Sequence, residues 1–101
     1  MILKINPQVY DDLKAIKEYI AEDNPEIAGK AVQKILDDIE RLKSFPESGA
    51  KLSSKISQKS RYRYIITYSY AALYYIDKDA VIVSNVIHLS RDFSVLAFTK
   101  H

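Results

Sequence analysis

The chain has 101 residues, no cysteine, a net charge of +2, and a composition that is 48% hydrophobic and 28% charged. That length supports one domain over residues 1–101 with a single core, and the composition excludes a disordered chain. The missing thiols exclude a disulfide framework and a cysteine-ligated metal.

"MILKINPQVYDDLK" reaches a charge at Lys4, and no apolar run approaches membrane-spanning length. Neither a signal peptide nor an anchor is expected, and a cytoplasmic location is. "ILKIN" alternates apolar and polar residues until Pro7 stops it, which predicts a short first strand. Asn6 is placed to cap a helix with Pro7 at its first position. Val9, Leu13, Ile16 and Ile20 then recur at helical spacing and form one apolar face. "EDNPE" interrupts this pattern, with Asn24 as a second cap, Pro25 opening a second helix and Glu26 in its first turn. Ala28, Ala31, Ile35, Ile39 and Leu42 make its stripe, widened by Val32 and Leu36. Two amphipathic helices joined by so tight a turn predict an antiparallel αα-hairpin.

"SFPESGA" ends the hairpin through Pro46 and Gly49, and the character of the chain then changes. "RYRYIIT", "YSYAALYYI" and "AVIVSNVIHL" are rich in Tyr, Ile and Val and read as strands, with a turn at Asp77–Asp79 between the last two. The expected class is α+β, in the order β-α-α-β-β-β, with the hairpin packed on a small antiparallel sheet. The tail "SRDFSVLAFTKH" is open between helix, strand and hydrophobic tag.

Charge is distributed unevenly, residues 1–44 summing to −2 and residues 45–101 to +4. Ala50 to Tyr68 gathers Lys51, Lys55, Lys59, Arg61 and Arg63, no acid, and three tyrosines. Such an edge is either a solubility device or a surface for a polyanion. Arg61 and Arg63 are two apart, so a strand would put both on one face and Tyr62 and Tyr64 on the other, and paired guanidinium forks suit phosphate. Tyr68 falls in the bend after Thr67 and is a candidate target contact. His88 ends the last strand, where an imidazole serves either as acid, base or anion donor or simply as a hydrogen-bonded strand terminus. Arg91, three residues on, joins that set if the strands are neighbours. No metal site is expected, since His88 lacks a second histidine or a ligand-spaced carboxylate pair. No cofactor is expected either, and no order of acid, histidine and serine suggests nucleophilic catalysis.

Three segments together resemble the RelE/ParE family of bacterial toxin–antitoxin toxins. They are "DNPEIAGKAVQKILDDIERLKSFPESG", "SRYRYIITYSYAALYYID" and "VIVSNVIHLSRD". The resemblance rests on a second helix ending in Leu42, Pro46 and Gly49, an arginine-bearing strand, a tyrosine-rich strand, and a Val/Ile strand ending in His88, Arg91 and Asp92. It implies a toxin encoded beside a short cognate antitoxin, which neutralises it by wrapping over hydrophobic and basic surface. Phe93, Leu96 and Phe98 of the tail are expected to serve that partner.

The resemblance also implies one of two targets. RelE-like members cut mRNA on the ribosome with arginines, lysines and a tyrosine or histidine, which here would be Arg61, Arg63, His88 and Arg91. ParE-like members lack that set and poison DNA gyrase. Where nucleolytic relatives read Tyr-Arg-x-x-Tyr, this chain reads Tyr70-Ala71-Ala72-Leu73-Tyr74, and no tyrosine follows Arg91. Fewer cations mean less stabilisation of a developing phosphorane-like charge. The expectation is therefore a ParE-like toxin, with the ribosome-dependent endoribonuclease as the alternative.

Overall fold

The computed structural model describes residues 1–54 and 59–90. Strand β1, Ile2–Ile5, runs into helix α1, Pro7–Ala21, whose Asn6 side chain accepts the Gln8 amide at 2.9 Å. Helix α2, Pro25–Glu40, begins the same way, with Asn24 Oδ1 accepting the Ile27 amide at 3.1 Å. Both caps satisfy an amide that a helix start otherwise leaves orphaned, and each proline occupies a position that needs no donor. A 3-10 turn over Arg41–Lys43 follows α2 and buries Leu42.

The remaining strands are β2 Ala50–Lys51, β3 Arg63–Thr67, β4 Tyr70–Asp77 and β5 Ala80–His88. They join β1 in one five-stranded sheet of order β1-β5-β4-β3-β2. The β2–β3, β3–β4 and β4–β5 pairs are antiparallel, as the expected meander requires, whereas β1 lies parallel to β5, so the sheet is mixed. The two-residue β2 was not visible in a stretch read as a basic loop. It exists because Ala50 and Lys51 lie opposite Tyr64 and Arg63.

One face of the sheet carries the helical hairpin. Val9, Leu13, Ile16, Ile35, Ile39 and Leu42 pack on Tyr70, Ala72, Tyr74, Val81, Val83 and Val86. Each large aliphatic side chain removed from water there contributes about 1.5–3 kcal/mol. The other face holds a smaller cluster of Leu52, Tyr64, Ala71 and Leu73, with Tyr62, Ile87 and Leu89 against it. No helix among the described residues is long and apolar enough to cross a membrane.

Strand β5 changes face midway. Leu73 is opposite Asn85 and Tyr74 is opposite Val83, so Ser84 is an extra residue in a β-bulge. Before it the odd-numbered Val81 and Val83 face the helices, and after it the even-numbered Val86 does. His88 follows Val86 in phase and so comes to lie on the helix side, where unbroken alternation would have put it on the opposite one.

The Leu42, Pro46 and Gly49 motif has a mechanical basis. Tyr74, fully buried on β4, takes the Gly49 amide at 2.9 Å and donates to the Pro46 carbonyl at 2.8 Å. A Cβ on Gly49 would stand 2.5 Å from that phenol oxygen and 2.7 Å from the Tyr64 carbonyl. Only glycine permits this approach.

Candidate functional site

Strand β3 organises the cationic region, but not as a pair of forks. Arg63 Nη1 donates to the Gly49 carbonyl at 2.9 Å and to that of Glu47 at 3.4 Å, while Nη2 lies 3.6 Å from the Glu47 carboxylate. The guanidinium is thus committed to the loop between α2 and β2, with only 18% of its side chain exposed. Arg61 precedes the strand, which starts two residues later than expected. Its guanidinium lies 3.9 Å from the centre of the Tyr75 ring, and Tyr62 meets the same ring edge-on at 5.2 Å. Tyr62 and Tyr64 do share the face opposite the helices. The expectation that Arg61 and Arg63 share the other face is corrected: the regular strand that would align them does not reach Arg61.

His88 lies elsewhere. It is opposite Tyr70 across β4 and β5, whereas Arg63 is opposite Tyr74 across β3 and β4. Four strand residues, about 13 Å, separate the two positions along β4 alone, and the groups stand beyond opposite edges of that strand. No hydrogen bond can join them. The His88 ring packs edge-on to Tyr70 at 5.2 Å, and its Nδ1 accepts the Ser90 amide at 3.2 Å. A backbone amide can only donate, so the neutral ring carries its proton on Nε2. A cavity of about 160 Å³ opens beside it, lined also by Asp12, Ile16, Tyr19 and Tyr70.

Lys51, in β2, and Lys59 are exposed. Tyr68 does occupy the turn after Thr67, with φ of +55° and 65% of its surface exposed. Lys55, Arg91, Phe93, Leu96 and Phe98 lie outside the described residues. Among the described residues, no three His, Asp or Glu side chains gather as metal ligands.

A larger feature escaped the sequence reading. A groove of about 600 Å³ runs between α2 and β3, lined by Lys34, Asp38, Arg41, Phe45, Ile65 and Ile66 among others. Burial pushes the Asp38 carboxyl up, but the Lys34 ammonium at 2.8 Å and the Thr67 hydroxyl at 2.6 Å outweigh it and hold the group below its ordinary value. Phe45 and Ile66 are 60% and 55% exposed. The consecutive Ile65 and Ile66 were the available signal, since adjacent strand residues face opposite ways and one of them must leave the core.

A two-helix hairpin on one face of a mixed five-stranded sheet, with charged and apolar surface at the sheet edge, defines a small α+β domain. The family model for the ParE toxin of type II toxin-antitoxin systems, parDE, matches residues 3–93, and the chain belongs to that family. A solved chain of the chromosomal ParDE TA system from P. aeruginosa has a similar fold, with a TM-score of 0.73 and 24% sequence identity, over 88% of this chain and 96% of that one. No curated protein matches the chain. Family membership makes the protein a type II toxin, one half of a toxin–antitoxin pair.

Proposed function

We propose that this toxin acts by inhibiting DNA gyrase, without cutting RNA, and is held inactive by a cognate antitoxin. One observation supports the choice of target: among the described residues, the candidate nuclease groups Arg61, Arg63 and His88 do not converge. Arg63 is bound to loop carbonyls, Arg61 stacks on Tyr75, and His88 lies beyond the other end of β4. Ala71, where the nuclease pattern has arginine, is fully buried in the cluster with Leu52, Tyr64 and Leu73 and supplies no cation. In-line cleavage needs several cations around one phosphate, and this arrangement supports surface recognition instead. Lys51, Lys59, Arg61 and Tyr68 are the described residues presented for contact with the target.

The test is a supercoiling assay with purified gyrase. The toxin is expected to stop supercoiling, and prior mixing with its antitoxin is expected to restore it. Undisturbed supercoiling together with cleaved messages in a translating extract would overturn the gyrase reading in favour of the ribosome.

A further inference from the structure

The Ser84 bulge that brings His88 to the helix side also completes a cavity there. Past the bulge, Val86 and His88 turn toward α1, and His88 stands opposite Tyr70 of β4. On α1, Asp12, Ile16 and Tyr19 follow one another at helical spacing and share one face. These two sets enclose the space of about 160 Å³ beside the histidine.

The walls of that space suit a cation. The Tyr70 and His88 rings meet at 87° with centres 5.2 Å apart, which makes a corner of two π-systems. Half-exposed Tyr19 supplies a third ring, and buried Ile16 and Val86 add aliphatic surface. The Ser90 amide donates to Nδ1 of the neutral His88 ring, so no imidazolium stands against a cationic ligand. The Asp12 carboxylate is then the one formal charge among the described residues that line the cavity. Aromatic rings and a carboxylate around a small, partly dry space attract an organic cation. The Asp12 oxygens already accept the Val86 amide and the Gln8 side chain, so the carboxylate offers charge more than vacant hydrogen-bonding sites. An ammonium whose hydrogens are replaced by methyl groups asks for nothing else.

We propose that this cavity binds the head of a small methylated ammonium compound, of the choline kind. The rings of Tyr19, Tyr70 and His88 and the charge of Asp12 hold the cation, and its methyl groups rest on Ile16 and Val86. The space equals about five water molecules at roughly 30 Å³ each. It lies below the roughly 300–1,000 Å³ of sites that enclose a whole drug-sized ligand. A trimethylammonium head fits these limits and a nucleotide does not. Asp12 repels an anion, and no third metal-ligating side chain joins Asp12 and His88. A ligand seated here ties α1 to β5 beyond the point where β1 stops accompanying it.

The experiment titrates the full chain with choline chloride at constant ionic strength and follows amide resonances by NMR. Saturable shifts are expected at Asp12, Tyr19, Tyr70 and Val86. The uncharged isostere, in which carbon replaces the nitrogen, should produce none. Tyr19→Phe keeps a ring and should keep the affinity, whereas Tyr19→Ala should weaken it roughly 10-fold. Asp12→Asn retains an acceptor for Val86 and should weaken binding to a similar degree. Tyr19 is half-exposed on a helix surface, so its variants keep the test valid if Asp12→Asn unfolds. The absence of saturable shifts would overturn the proposal, as would equal shifts from the isostere. Wild-type affinity in Tyr19→Ala would remove the aromatic cage. Tighter binding of ethanolamine, the unmethylated analogue, would overturn the methylated class in favour of a primary amine.

Discussion

The Asp12 carboxylate on α1 accepts the amide of Val86 on β5 at 2.8 Å, across 74 residues of sequence. Strand β1 accompanies β5 only from Ala80 to Val83, so beyond the Ser84 bulge β5 loses that neighbour. Asp12 supplies the acceptor that β1 no longer provides, and its other oxygen takes the Gln8 side chain at 2.8 Å. Asp12→Ala leaves a half-buried amide without a partner and is expected to destabilise the fold by about 1–3 kcal/mol. Asp12→Asn keeps an acceptor oxygen and should lose clearly less. Equal losses in urea unfolding would show that the bond contributes nothing.

Gly49 and Tyr74 should behave as one unit. Gly49→Ala forces a methyl group to within 2.5 Å of the buried phenol oxygen. Tyr74→Phe removes that oxygen and leaves the Gly49 amide and Pro46 carbonyl without it. Each change is expected to cost about 1–3 kcal/mol. The double variant should lose less than the sum, because Tyr74→Phe removes the nearest of the atoms the methyl group meets, while the Tyr64 carbonyl at 2.7 Å and the ring carbon at 2.8 Å remain. A double-mutant cycle from equilibrium denaturation checks this, and strict additivity would contradict the geometry.

Helix boundaries were legible because Asn-Pro caps and 3.6-residue spacing act locally, and the stripe from Ala28 to Leu42 is buried as its spacing implied. The α+β order and the turns at Tyr68 and Lys78 were legible for the same reason. The candidate site was not. One unpaired residue, Ser84, moves His88 to the other face, and nothing in "AVIVSNVIHL" marks the bulge. Arg63 is diverted by carbonyls 14 and 16 residues away, a tertiary fact invisible to spacing along one strand.

Asp38 gives the fold an acid dependence. Its folded pKa is depressed below the ordinary value of 3.8, because contacts with Lys34 and Thr67 outweigh burial. Stabilisation from a depressed carboxyl is fully present above the unfolded value and is lost as pH falls through the folded one. The stability gap between wild type and Asp38→Asn should therefore be wider at pH 6 than at pH 3. Denaturant titrations at both values measure it, and a gap independent of pH would remove Asp38 from the acid response.

Tyr68 separates stability from function. Its φ of +55° lies in the left-handed region, which costs a side-chain-bearing residue about 1 kcal/mol. Glycine relieves that strain but also loosens the unfolded chain, so Tyr68→Gly is expected to gain about 0.5 kcal/mol. With the ring 65% exposed, little burial is lost. If Tyr68 contacts the target as proposed, growth inhibition on induction should nevertheless fall. Full toxicity in the stabilised variant would exclude Tyr68 from that contact.

The two arginines should part company when each is replaced by alanine. Arg63→Ala frees the Gly49 carbonyl and loosens the loop that Tyr74 also holds, with an expected loss of about 1–3 kcal/mol. Any fall in toxicity then follows the fall in folded protein. Arg61→Ala gives up an exposed cation–π contact with Tyr75, worth about 0.5–1 kcal/mol. Its fold should survive, yet on the proposed gyrase reading its inhibition of supercoiling should weaken and lose part of its dependence on salt, because a surface guanidinium acts on its partner through screened charge. Supercoiling assays at low and high ionic strength, run beside melting curves, distinguish the two roles. A destabilised Arg61→Ala beside an intact Arg63→Ala would reverse the assignment of which cation holds the loop and which faces outward.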